Sequence, residues 1–226
     1  MIETRSGVHL LPADITLARG ETELLSKVGN FYILKERLEP VRQKFRHVLI
    51  DCPPSLGLLT INGLAAADQV LIPVQCQFFA LKGLESLRET IQSVQRRLNP
   101  NLKILGVLPT MAESKTVMTQ DVLSALQKRL GDIKIFDPVP KSIKFAESNL
   151  AGEPIHQYAG YSKLVQPYEA IAGGSTLMMF LGLLVESLAP SSSIRLVEIL
   201  EIWAGKASRY FWSLDYLRGH CYNPLR

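Results

Sequence analysis

Phe45-Arg46-His47-Val48-Leu49-Ile50-Asp51-Cys52-Pro53-Pro54-Ser55 decides how this 226-residue chain is read. A charged approach leads into an apolar run, the run ends on a carboxylate, and two prolines stop it. That order predicts a buried parallel strand delivering Asp51 to the carboxyl edge of a sheet, where open α/β folds bind ligands. A fixed carboxylate at such an edge suits a hydrated Mg²⁺ beside phosphates. The chain contains no G-x-x-x-x-G-K-[ST] phosphate loop. It carries half of a nucleotide site.

Outward from this strand the pattern alternates. Leu56 to Ala67 predicts a buried helix, and Gln69 to Val74 a second strand with Pro73 near its end. Leu81 to Leu98 predicts a helix with Leu84, Leu87, Ile91 and Val94 on one face, stopped by Asn99-Pro100-Asn101. Leu102 to Leu108 predicts a third strand, Val117 to Leu130 a helix ending at Gly131, and Ile133 to Phe136 a fourth strand. Upstream, Val8 to Leu11 reads as a short strand. Leu17 to Lys27 and Phe31 to Lys44 read as helices, with Pro40 breaking the second or opening its last part. This alternation predicts an α/β fold, a mostly parallel sheet flanked by helices. It ends at Gly173-Gly174-Ser175-Thr176, which divides an α/β domain (1–172) from an extension (173–226). In the extension Leu196, Ile199, Leu200, Trp203, Ala207, Tyr210, Phe211, Leu214 and Leu217 fall at helical spacing and predict a helical tail.

Hydrophobic residues at 47% and charged residues at 20% make a globular composition and argue against disorder. A net charge of +4 and a pI near 9.0 permit nucleic-acid or acidic-lipid contact without requiring it. Cys52, Cys76 and Cys221 are odd in number and form no CxxC pair, which speaks for reduced thiols in a cytoplasmic protein. The longest apolar run, Leu177 to Val185, stops at Glu186, well short of the roughly 20 residues that span a bilayer. Met1 to Arg5 lacks the apolar core of a signal peptide.

From Asp51 to Leu64, through Ala66-Ala67-Asp68 and on from Val70 to Leu81, the chain resembles the ParA/Soj family of chromosome- and plasmid-partition ATPases, within the deviant-P-loop class. Leu10 to Ala18, Leu98 to Leu102, Gly106 to Met111, Val139 to Glu147 and Gly152 to Ile155 carry the same resemblance, which covers about residues 8 to 172. It implies a partial P-loop NTPase fold. The family opens with a strand, a lysine-rich phosphate loop and a switch aspartate, all expected upstream of Met1, so the chain reads as N-terminally truncated. Beyond Ala172 nothing in the sequence matches.

The resemblance gives Asp51 the role of the Walker B carboxylate that holds Mg²⁺ through water; the bland alternative is an aspartate capping the next turn. Pro53, with Pro54 and Gly57, corresponds to the family's switch region, or simply to a tight turn. Thr110, Met111, Pro138, Val139 and Pro140 fall on segments that border adenine in the family, although loops at strand ends look alike without a ligand. Lys115, Lys141 and Lys144 stand where the family carries arginines for non-specific DNA contact. A lysine neutralises phosphate without the bidentate fork of arginine, and solvated surface lysines read the same way. Cys52 reads as a buried structural thiol, His156 has no partner that suggests catalysis, and no catalytic residue is assigned.

The resemblance implies ATP and Mg²⁺ as cofactors, a ParB-like partner and non-specific DNA. It also implies a homodimer, or a heterodimer with a full-length ParA-like subunit. The location it implies is the cytoplasm, on the nucleoid where DNA binding is retained. Without a phosphate loop the polypeptide is expected not to hydrolyse ATP alone. Two alternatives stand beside this. One is a non-catalytic interaction protein that pairs with a full-length ParA-like subunit. The other is a MinD-like peripheral membrane protein using the tail, where Glu198, Glu201 and Asp215 dilute Lys206, Arg209 and Arg218. A parallel sheet without its first strand exposes apolar edge and face, and the tail's stripe is a candidate cover.

Overall fold

The computed structural model describes residues 2–3, 8–13, 15–45, 47–53, 55–77, 80–113, 116–160, 162–172, 178–181 and 211–213. The chain opens with β1 (Ile2–Glu3), β2 (His9–Pro12), α1 (Ile15–Leu25) and α2 (Ile33–Arg42). It continues through β3 (Leu49–Cys52), α3 (Leu58–Ala66), β4 (Gln69–Gln75), α4 (Ala80–Arg97), β5 (Lys103–Thr110) and α5 (Val117–Leu130). Then come α6 (Lys144–Ala151), α7 (Ile155–Tyr158), α8 (Gln166–Ala172), β6 (Met178–Leu181) and β7 (Phe211–Ser213). The sheet order is β1-β2-β7-β3-β6-β4-β5, antiparallel between β1 and β2 and parallel elsewhere.

Strands β3 and β4 are nearly continuous apolar runs because both faces of the sheet are covered. Successive side chains point to opposite faces. Ile50, Cys52, Val70, Ile72 and Val74 pack with Leu84, Leu87, Ile91 and Val94 of α4 and with Val122 and Leu126 of α5. Leu49, Leu71 and Leu108 pack with Phe145, Ile155, Tyr168 and Ile171 of α6, α7 and α8. The predicted layers are therefore present, and the helical stripe read on α4 is its buried face.

Between β4 and β5 the register slips, Val70 facing Ile104 and Leu71 facing Gly106. Gly106 has φ +156°, and a Cβ there would stand 2.6 Å from the Lys134 carbonyl oxygen and 2.7 Å from Phe136 Cε2. The segment after α5 runs parallel beside β5 at this point.

Three expectations change. Helix α2 runs through Pro40 to Arg42 instead of breaking, because Pro40 lies in its last turn and costs a single intrahelical bond. Ile133–Phe136 is no strand: it touches β5 through one bridge, Val107 to Ile135, and the ladder is interrupted because Pro109 and Pro138 lack the amides that would continue it, before bonding resumes from Val139 to Pro109. In the extension, Met178–Leu181 and Phe211–Ser213 are extended where a helical tail was expected. Short apolar runs carry no period that separates strand from helix. The rest of 173–226 lies outside the described residues.

Candidate functional site

Asp51 sits in the third position of β3, 3% exposed, and by alternation on the side of Leu49, the α6–α8 face of the sheet. Its neighbour Cys52, 2% exposed, points to the α4 face. Burial pushes the Cys52 thiol well above its ordinary value, and the adjacent Asp51 charge pushes it further. This is an inert structural thiol, as the sequence suggested. Cys76, just past β4, is likewise pushed up by burial, to about 11.

The turn after Asp51 is held from below. The Thr60 hydroxyl, fully buried, donates to the Ser55 carbonyl at 2.6 Å with the Pro53 carbonyl at 3.3 Å beside it. Gly57 precedes α3 and offers no side-chain cap. Instead Glu21 of α1 accepts the Leu59 amide at 3.3 Å. A Cβ on Gly57 would lie 2.5 Å from that carboxylate, so a larger residue there would make the Glu21 side chain shift. Thus Pro53, half-buried, belongs to a turn fastened by Thr60 and lying close to the helix end that Glu21 caps.

The remaining candidates form a second group. Thr110 closes β5, 8% exposed, and its carbonyl accepts the Cys76 amide at 2.9 Å. Met111 follows with φ +54°, a left-handed conformation uncommon for a non-glycine residue. Alongside, the Val139 amide donates to Pro109 at 2.8 Å, the Ala112 amide to Val139 at 3.0 Å, and the Lys141 amide to Ala112 at 3.0 Å. The structure therefore brings Thr110, Met111, Pro138, Val139 and Pro140 together.

It does not bring them to Asp51. Asp51 pairs with Phe180, Phe180 with Leu71, and Leu71 with Gly106, four residues short of Thr110. Three lanes across and four residues along place Thr110 about 19 Å from Asp51. The carboxyl edge is stepped, with β4 and β5 rising beyond the ends of β3 and β6. A ligand touching both groups must lie extended along that step, on the face shared by Asp51 and Leu108.

Lys141 is exposed and pairs with Glu113 at 2.7 Å, which neutralises part of its charge. Lys144, exposed, is the first residue of α6. Lys115 lies outside the described residues. His156 on α7 is partly buried, which lowers its pKa, while Glu169 pulls it back up.

Among the described residues no group of three His, Cys, Asp or Glu could hold a metal ion. An all-protein cage is therefore not on offer there. A single buried carboxylate fits the other mode of Mg²⁺ binding, in which one carboxylate is joined by waters and phosphate oxygens. No helix among the described residues is long and apolar enough to cross a membrane.

Sequence reasoning missed Glu21, Thr60 and Asn99, whose bonds link residues 5 to 38 positions apart. Only the hydroxyl of Thr60, close to the Pro-Pro break, offered a local signal.

Residues 1–104 match the family described as an AAA domain. An uncharacterised protein of Mycobacterium tuberculosis is 42% identical over 165 residues, covering 73% of this chain and 52% of that protein. The sporulation initiation inhibitor protein Soj of Bacillus subtilis is 40% identical over 169 residues, 75% of this chain and 67% of Soj. Among solved structures, cobyrinic acid a,c-diamide synthase from Mycobacterium smegmatis, bound to an ATP analogue and magnesium, is 38% identical with a TM-score of 0.59. That match covers 72% of this chain and 68% of the synthase. The chain spans about half the length of the mycobacterial relative and two thirds of Soj. With Soj matched at that identity over that share of both chains, the chain belongs to the ParA/Soj family of partition ATPases.

Proposed function

We propose that this chain acts in DNA partitioning as a ParA-like subunit that hydrolyses no appreciable ATP by itself. The observation that carries the reading is the placement of Asp51, buried at the end of β3 and followed by a turn that Thr60 fastens. Asp51 is the residue that would hold Mg²⁺ through water, and the metal, when bound, neutralises phosphate charge. Pro53 and its turn would line the phosphate end. Thr110, Met111 and the 138–140 strip would line the far end of the step and border a base there.

Phosphoryl transfer is mostly positioning and charge neutralisation. This polypeptide holds the carboxylate but no G-x-x-x-x-G-K-[ST] loop to cradle phosphates. ATP-dependent action is therefore proposed for a heterodimer with a ParA-like subunit that carries that loop. A ParB-like protein is the proposed stimulating partner. Lys141 and Lys144, with Lys115, would neutralise DNA phosphates without reading sequence. The proposed location is the cytoplasm, on the nucleoid.

Calorimetry with Mg-ATP and a turnover assay on the purified chain and on Asp51→Ala test this reading. The expected result is turnover no higher than buffer for both proteins. Saturable heat and turnover, both lost in Asp51→Ala, would overturn it, because another segment would then supply the cradle.

A further inference from the structure

Two polar side chains stand together on the stepped edge beyond Asp51. Gln75 closes β4, and its register partner is Thr110, the last residue of β5. Leu71 and Leu108 pack on the α6–α8 face. By alternation Gln75 and Thr110 stand on that same face, which is also the face of Asp51. Their backbones are already bonded: the Cys76 amide donates to the Thr110 carbonyl at 2.9 Å, and the Gln77 amide to the Gln75 carbonyl at 2.7 Å. Among the described residues, however, neither the Gln75 carboxamide nor the Thr110 hydroxyl has a hydrogen-bond partner, and neither is sealed from solvent. Gln75 lies two lanes across and four residues along from Asp51, about 16 Å away. Thr110 is one lane further, and the 138–140 strip follows it.

We infer, on the reading that a nucleotide lies along this step, that Gln75 with Thr110 beside it recognises the hydroxyls of the nucleotide's sugar. A nucleotide runs phosphate, sugar, base. With phosphates beside Asp51 and a base against the 138–140 strip, the sugar falls over the lanes between, where Gln75 and Thr110 stand. The chemistry matches the position. A ribose presents two neighbouring hydroxyls, each a donor and an acceptor, and a carboxamide offers a carbonyl oxygen and N–H groups side by side. The Thr110 hydroxyl takes either role. A few convergent polar groups of this kind fix the orientation of a ligand whose other contacts are apolar or backbone. Neither residue depends on a phosphate loop. This end of the step is built from residues 75–77, 109–112 and 138–140, so a nucleoside without phosphates is enough to probe it.

The test titrates adenosine and 2′,3′-dideoxyadenosine, which lacks both sugar hydroxyls, into the full chain and into Gln75→Leu, with binding followed by ligand-observed NMR. The unaltered chain is expected to bind adenosine about tenfold more tightly than the dideoxy analogue. The margin is modest because Gln75 is only partly buried, and water can replace a lost bond. In Gln75→Leu the affinity for adenosine is expected to fall to that for the dideoxy analogue, which itself changes by no more than about twofold. Gln75→Ala takes its place if Gln75→Leu does not fold. Equal binding of the two nucleosides by the unaltered chain would overturn the assignment while leaving the nucleotide reading intact. A preference that survives the loss of the Gln75 carboxamide would do the same. Binding of neither nucleoside would overturn the assignment together with the reading of this end as a base site.

Discussion

Asn99 shows how far apart in sequence the bonds that hold this core can begin. Its Nδ2 donates to the Leu64 carbonyl at 3.0 Å and to the Ala67 carbonyl at 2.7 Å, where α3 ends and its last carbonyls lack intrahelical partners. Asn99 is 8% exposed, so water does not readily replace it. Asn99→Ala strands both carbonyls and is expected to cost about 1–3 kcal/mol, read as a lowered urea midpoint at unchanged slope. Gly106 is constrained differently. At φ +156°, with the Lys134 carbonyl 2.6 Å from any added Cβ, even one methyl group forces β5 and the segment beside it apart. Gly106→Ala is expected to destabilise by about 1–3 kcal/mol, and a melt within a degree of the unaltered protein would contradict that account. Local patterning indicated neither role, since Asn99 read only as a helix stop and Gly106 only as part of a strand.

At the scale of elements, legibility follows how local the determining contacts are. Helix α5 was readable to the residue because its ends are marked by Thr116, whose side chain accepts the Thr119 amide, and by Gly131 at φ +58°. Strands β3 and β4 were readable because a sheet covered on both faces demands apolar runs, and Asp51 was readable because the Pro53-Pro54 break follows one residue later. Helices α6, α7 and α8 are short and broken by Gly152, Pro154 and Gly160, leaving too few turns for a period to show. The site was legible as two separate motifs, while their separation of roughly 19 Å is set by register and bulge, which no motif encodes. The α7–α8 corner carries a pH prediction. His156 is lowered below its ordinary 6.5 by burial, against the opposing pull of Glu169, so the unfolded chain binds its proton more readily. Its contribution is fully present above pH 6.5 and is lost as pH falls through the folded value. Urea midpoints from pH 7.5 down to 5 are expected to fall less for His156→Asn than for the unaltered chain. Parallel curves would remove His156 from that dependence.

Among the described residues, the sheet holds one extensively joined pair of strands, β4 with β5, while β3 pairs only with strands from the far end of the chain. Leu49 and Ile50 are as deeply buried as Leu71 and Ile72, so burial alone predicts equal protection for β3 and β4. Ladder bonding predicts otherwise. Strand β4 keeps its seven-position pairing with β5 whatever the extension does, whereas every ladder partner of β3 departs if β6 and β7 open. Proteins open in contiguous cooperative units whose stabilities differ, and β3 belongs to the unit of the extension even though it is encoded beside β4. Native-state hydrogen exchange can separate the two expectations. Amides of Ile50, Asp51 and Cys52 are expected to exchange about tenfold or more faster than those of Leu71, Ile72 and Val74, and in step with Met179 and Phe180. Equal protection of β3 and β4 would mean that helix packing on the two faces, and not strand pairing, holds β3. The distinction matters for function, because Asp51 keeps its place relative to the 138–140 strip only while the lanes between them stay filled. If β3 opens with the extension, whatever binds at that edge also stabilises residues 178–181, and their exchange would slow when a ligand is present.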